Sequence, residues 1–151
     1  MVWMESRMEN KIVQMLKGIS KKLQFIVVVD KTGLPITSWN TETRKIIEPS
    51  MEMTIAGIAA AVLSLGEKTG SVLKHGNFKE VIIKNEEGTT IIVDAGENAL
   101  IIGILPPKTG YGSPLLSLKL AASKLRKLKD IPSSSVPKPD KDSDISVPEI
   151  K

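Results

Sequence analysis

The sequence contains no cysteine and a single histidine, His75, among its 151 residues. A disulfide framework, a thiol nucleophile and thiolate metal sites are therefore excluded, and a histidine metal cluster cannot be assembled. Aromatic residues are also scarce: Trp3, Phe25, Trp39, Phe78 and Tyr111 make up 3% of the chain. A core must then be built from Ile, Val, Leu, Met and Ala, and few rings remain to stack on nucleobases. The longest apolar run, Ile55 to Leu65, falls well short of the roughly 20 residues that span a bilayer, so no membrane span is expected. The start of the chain, MVWMESRMENK, places Glu5, Arg7 and Glu9 where a signal peptide needs an apolar run, and it lacks the glycine of a myristoylation signal. A soluble, cytoplasmic protein is expected.

What the chain does have is a clear order of elements. Met4, Met8, Ile12, Met15, Leu16 and Ile19 recur at steps of three and four, which predicts an amphipathic helix over residues 1–19. QFIVVVDKTGLPITSW then reads as a strand at Phe25 to Val29, a tight turn opened by Asp30 and closed by Gly33, and a second strand. Pro35 donates no ladder bond, so that strand belongs at a sheet edge or begins there. Pro49 suits the first position of a central helix, expected to run to about Lys68. NFKEVIIKN, TTIIVDA and NALIIGILP, separated by NEEG and GE turns, form an antiparallel meander. Ser113 and Pro114 read as cap and first residue of a last helix, whose buried stripe is Leu115, Leu118, Ala122, Leu125 and Leu128.

The fold class expected is α/β: a five-stranded antiparallel sheet in the order α-β-β-α-β-β-β-α, with helices on both faces because a single sheet cannot enclose a core. One domain covers residues 1–130. Residues 131–151 hold four prolines and five serines, too little clustered apolar surface to offset ordering, and are expected to be a disordered tail.

The central stretch TIAGIAAAVLSLG has no wet side. Met51, Ile55, Ile58, Val62 and Leu65 gather in one arc, expected on the sheet, whereas Gly57, Ala60, Ala61 and Ser64 form a flat stripe elsewhere on the helix. Gly57 inside a helix costs on the order of 1 kcal/mol relative to Ala, so a neighbour should be using this stripe. Either a terminal helix of the same chain covers it, or the same helix of a second copy does, in an isologous contact. The second is favoured, because the terminal helices are needed on the other sheet face. The strand FKEVIIKN can lie at an edge and pair with its own copy, bringing Phe78, Val81 and Ile83 to the contact and giving a continuous ten-stranded sheet.

No catalytic constellation emerges. Ser71-Val-Leu-Lys74 and Lys108-Thr109-Gly110 match short boxes of serine β-lactamase-like enzymes, but the intervening polar motif is absent. GEKTG is not a phosphate loop. His75 reads as a turn residue, and Asp30 and Asp94 as turn-stabilising carboxylates. The stretch KLAASKLRKLKD carries five cations, Lys119, Lys124, Arg126, Lys127 and Lys129, against one anion. It is either a solvated helix end whose cations complement the dipole or a patch for nucleic acid, an acidic partner or anionic lipid.

Three segments resemble one family: FIVVVDKTGLPITSW, IAGIAAAVLSLGEKTG and the meander ending in ALIIGILPP. Together, over about residues 8–128, they are similar to the Roadblock domains, also called the dynein light-chain Roadblock family. The resemblance implies a profilin-like sandwich that dimerises through its second helix and third strand. It further implies a non-enzymatic platform, without cofactor or metal, that binds or regulates Ras-like small GTPases or links motors and signalling complexes to cargo; some prokaryotic members raise GTP hydrolysis by a partner. A heterodimer with a paralogue is a further possibility. If an arginine finger operates, Arg44, in the loop before the central helix, is the residue to test. The alternative function is nucleic-acid or anionic-surface binding through Lys119, Lys124, Arg126, Lys127 and Lys129. The proline-rich tail and the basic last helix depart from the family pattern.

Overall fold

A computed structural model of the chain describes residues 11–19 and 21–128. The expectations for Met4 and Met8, for Lys129 and for the tail from residue 131 lie outside the described residues. Within them, residues 11–17 are helical (α1), followed by β1 (Phe25–Val29), β2 (Pro35–Asn40), α2 (Pro49–Val72), β3 (Glu80–Asn85), β4 (Gly88–Asp94), β5 (Leu100–Leu105) and α3 (Gly112–Arg126). The strands form one antiparallel sheet in the order β2-β1-β5-β4-β3. The last strand of the meander inserts beside the first strand of the chain, and β2 and β3 are left as the two edges.

Local chemistry accounts for the turns. The buried Asp30 carboxylate accepts bonds from the Thr32 and Leu34 amides at 3.0 and 3.1 Å and from the Thr32 hydroxyl at 2.6 Å. Gly33 closes this turn at φ 98°, a conformation that side chains resist. The β2–α2 connection is pinned by the Ser38 hydroxyl, fully buried, which accepts the Ile47 amide at 2.9 Å and donates to Glu52. Pro49 opens α2 as expected. The helix continues past Lys68 to Val72 and ends where Gly70 and Gly76 meet: a β-carbon on Gly70 would stand 2.0 Å from the Gly76 carbonyl oxygen. At 24 residues α2 is long and apolar enough, by length and composition, to cross a bilayer. Here both of its ends lead back to edge strands of one sheet, and Ile55, Ala56, Ala59 and Leu63 are packed on that sheet. Helix α3 begins at Gly112 with Tyr111 as its cap, and no side chain bonds the cap. Ser113 and Pro114 therefore fall inside the first turn, not at its boundary.

The two sheet faces have separate cores. On one, α1 and α3 cover Ile26, Val28, Ile36, Trp39, Ile91, Val93 and Ile101 with Ile12, Leu16, Leu118, Ala122 and Leu125. Gly103 in β5 makes this close packing possible, since a β-carbon there would meet Leu23 at 2.6 Å and Leu118 at 2.7 Å. On the other face, α2 alone covers Val27, Val29, Ile92, Leu100 and Ile102. The helices thus lie on both faces of a five-stranded sheet, as the element order requires.

Candidate functional site

The surface that stands out surrounds α2. Its sheet-facing side consists of Ile55, Ala56, Ala59 and Leu63, about a quarter-turn from the arc of large aliphatics expected to face the sheet. Ile55 does pack there. Met51, Ile58 and Leu65 do not: they are 46%, 50% and 67% exposed. The reason lies in the sheet. Val27, Val29, Ile92, Leu100 and Ile102 already fill the space beneath the helix with bulky side chains, so the helix must contribute small ones to approach at packing distance. Ala56 and Ala59 take that role.

Gly57, Ala61 and Ser64 of the expected stripe are exposed on the outside of α2, and nothing lies within 4 Å of a β-carbon built on Gly57. Among the described residues the terminal helices do not cover them; α1 and α3 occupy the opposite sheet face. Ala60 departs from the stripe. It is half-buried, and its Cβ stands 3.1 Å from a β-carbon placed on Gly33 of the β1–β2 turn. Ala60 is thus a support for that turn, and a glutamate there would disturb the fold as well as any contact.

On the other flank of α2, Val62, Phe78 and Val81 are partly buried against the core beneath the helix. The ring of Phe78 lies over Gly66, where a β-carbon would stand 2.3 Å from its Cδ1. Ile83 shares the strand face of Val81, and in register across the sheet Ile83, Thr90, Ile104 and Phe25 form a row that α2 leaves half-covered. β3 is an edge strand, so its outer row of backbone groups has no strand partner among the described residues. Helix flank, half-covered row and open edge form one continuous apolar surface. Sequence reasoning assigned Phe78, Val81 and Ile83 to it but missed Met51, Ile58 and Leu65.

The charged candidates lie elsewhere. Arg44 is exposed at φ 58° on the β2–α2 turn, its amide bonded to the Asn40 carbonyl at 2.8 Å. It belongs to the sheet edge opposite β3. The basic residues of α3 are on the α1/α3 layer, and the structure splits them. Lys119 pairs with Glu80 at 3.1 Å. Arg126 donates to the Asp94 carbonyl at 2.8 Å and stands 3.7 Å from its carboxylate, which also holds Lys31 at 2.6 Å. Gly96 leaves room for Arg126 to pass, at φ 110° with a would-be β-carbon 3.2 Å from its Cγ. Lys124 and Lys127 are exposed and make no ion pair among the described residues. The uniform basic patch is therefore two groups on two flanks of α3, one of them already neutralised.

Two shallow depressions of about 390 and 490 Å³ flank Phe78 and share Asp94 in their walls. Their lysines and arginine include those already paired with Glu80 and Asp94. Among the described residues no three His, Asp or Glu side chains gather in a way that could hold a metal ion. His75 is an exposed turn residue whose amide bonds the Gly70 carbonyl at 2.8 Å. Asp94 also accepts the Gly96 amide at 3.3 Å, so it stabilises its turn while serving as the hub of the ion pairs.

Comparison with known proteins agrees with this architecture. An uncharacterized protein of Methanocaldococcus jannaschii is 30% identical over 101 residues, covering 66% of this chain and 82% of its own. Among solved structures, an MglB in a tetrameric arrangement superposes with a TM-score of 0.70 at 19% identity, over 80% of this chain and 88% of that one. The Myxococcus xanthus MglB gives 0.67 at 18% identity, over 79% and 87%. At such identities these structures establish a shared fold. The sequence itself matches the Roadblock/LC7 domain over residues 20–105, more than half its length. The chain belongs to the Roadblock/LC7 domain family.

Proposed function

We propose that two copies of this chain join through the outer face of α2 and the edge of β3, and that the dimer is a cytoplasmic, non-enzymatic platform for a Ras-like small GTPase. The observation that carries the reading is the exposure of Met51, Ile58 and Leu65 beside a β3 edge that has no strand partner among the described residues. Exposed apolar surface of this continuity marks an interaction site. A two-fold contact suits it, because the same helix and the same edge meet themselves. Gly57, Ala61 and Ser64 let two α2 backbones come close, and the joined β3 edges extend the sheet to ten strands. Burying each half-exposed aliphatic adds on the order of 1 kcal/mol, and an obligate contact of this kind covers roughly 2,000 Å² or more. A paralogue with the same surface would fit in place of the second copy.

The GTPase part of the proposal rests on family membership. In it, the dimer surface holds the GTPase switch loops in place without inserting a side chain. The nucleic-acid alternative is weakened by the ion pairs that engage Lys119 and Arg126.

Light scattering on the purified full chain tests the assembly. The wild type is expected at twice the chain mass, and Ile58→Glu at the single mass with an unchanged far-UV spectrum. A wild-type monomer, or an Ile58→Glu chain that still dimerises, would count against this interface. Titration with Ras-like GTPases of the same genome, loaded with GDP or a non-hydrolysable GTP analogue, tests the partner. A nucleotide-dependent affinity is expected; absence of binding in both states, together with DNA or RNA affinity that falls steeply with salt, would favour the alternative.

A further inference from the structure

The α1/α3 layer carries a second uncovered feature, on the sheet face away from the proposed dimer contact. Leu116 and Leu120, one turn apart on the outer side of α3, are each 59% exposed. Beside Leu120 a shallow groove of about 150 Å³ runs between the helices, lined by Met15, Gly18, Ile19, Ser117 and Lys124. Lys124 and Lys127, without ion pairs among the described residues, lie on this side of α3, whereas the paired Lys119 and Arg126 face the strands. The surface is apolar at its centre and positive at its margins.

A segment of the same chain has the complementary chemistry. Residues 140–150 carry four carboxylates, Asp140, Asp142, Asp144 and Glu149, against the single Lys141, with Ile145, Val147 and Ile150 interspersed. Residues 11–128 hold 16 Lys and Arg against 10 Asp and Glu. We propose that residues 140–150 seat on the α1–α3 groove of their own chain, placing Ile145 and Val147 against Leu116, Leu120 and the groove, with the carboxylates toward Lys124 and Lys127.

Reach permits it. Residues 129–139 span up to ~36 Å when extended, and Leu120 and Leu116 lie about 12 and 18 Å back along the helix from Leu128 at the usual rise per residue. The tether also lowers the affinity required. An effective concentration on the order of 1 mM makes a contact with a Kd of about 1 mM half-formed. A polar segment can gain order on binding a rigid groove. The inference is independent of the dimer reading.

The absence of cysteine gives a direct test. Ser146→Cys in the full chain creates one site for a nitroxide spin label within the segment proposed to dock. In the ¹⁵N-labelled protein, the amide signals of Gly18, Ser117, Leu120 and Lys124 should be selectively lost and should return when the nitroxide is reduced. The loss should persist on dilution, disappear with Asp142→Lys plus Asp144→Lys, and reappear when Lys124→Glu and Lys127→Glu are added to that variant. Broadening that is uniform, or that centres on α2 and β3, overturns the proposal. So does broadening that arises only between spin-labelled and ¹⁵N-labelled copies in a mixture, which would assign the groove to a second chain's tail.

Discussion

The two faces of the sheet are finished in different ways. On one, two helices cover the strands, large side chains meet a glycine gap at Gly103, and two of the α3 cations, Lys119 and Arg126, are matched by Glu80 and Asp94. On the other, a single helix crosses five strands and leaves a row through Ile83, Thr90, Ile104 and Phe25 half-covered. The first face has nearly all its core within the chain. The second turns bulky aliphatics outward from α2, an arrangement that gains free energy only when something lies against them. Apolar side chains that fill a core and apolar side chains that await a partner can thus sit on the same fold, and burial, not composition, separates them.

The sharpest way to break this comparison is a matched pair of truncations. Leu118 is fully buried in α3, and Leu118→Ala should lower the unfolding free energy by about 2–5 kcal/mol. Ile58→Ala removes a side chain that is half exposed in the isolated chain and should cost less than ~0.5 kcal/mol where the protein is dilute enough to be monomeric. If α2 is a subunit contact, the Ile58→Ala penalty grows with protein concentration while that of Leu118→Ala does not. Denaturant unfolding at two concentrations reads both. Equal, concentration-independent penalties would mean that the two faces are not different in kind.

A smaller effect probes the boundary of the exposed surface. Gly66→Ala drives a methyl group into the Phe78 ring and should destabilise by about 1–3 kcal/mol. Because the clash is with one side chain, Phe78→Leu should relieve part of it. The double variant is then more stable than the sum of the single changes predicts, by a coupling of about 0.5 kcal/mol or more. Strict additivity would show that Phe78 does not rest on Gly66 and that the α2–β3 seam is built otherwise.

Much of the fold could be read from the chain because each strand announces itself in one way only. FIVVV is too branched for anything but a buried strand, Pro35 marks an edge, and the Asp30 and Gly33 turn needs its own residue types. The buried side of α2 could not be read. A helix that is apolar all round has no preferred face, and the choice was made by the bulk of Val27, Ile92 and Ile102 from three strands distant in sequence. The division of the α3 cations was hidden for the same reason. Lys119 and Arg126 look like Lys124 and Lys127 until Glu80 and Asp94 are brought beside two of them by the β3–β4 pairing. Ala60 was placed in an outward stripe by angle alone, with no means of knowing that the β1–β2 turn would reach it.

The smallest predicted effect concerns those ion pairs, and it tests whether the covered face is as self-contained as its packing suggests. Lys119 and Arg126 are each half exposed, and exposed pairs contribute only about 0.2–1 kcal/mol. Lys119→Met should therefore shift stability by no more than that, and the shift should shrink at high salt. Arg126→Met should cost somewhat more and keep part of its cost in salt, because it also removes the bond to the Asp94 carbonyl. That carbonyl and the Lys31–Asp94 pair tie the β1–β2 turn, the end of β4 and the end of α3 together. Hydrogen exchange at the β4–β5 turn should accordingly quicken in Arg126→Met and stay unchanged in Lys119→Met. Equal responses to the two changes would make Asp94 an ordinary surface carboxylate and leave α3 held by its apolar stripe alone.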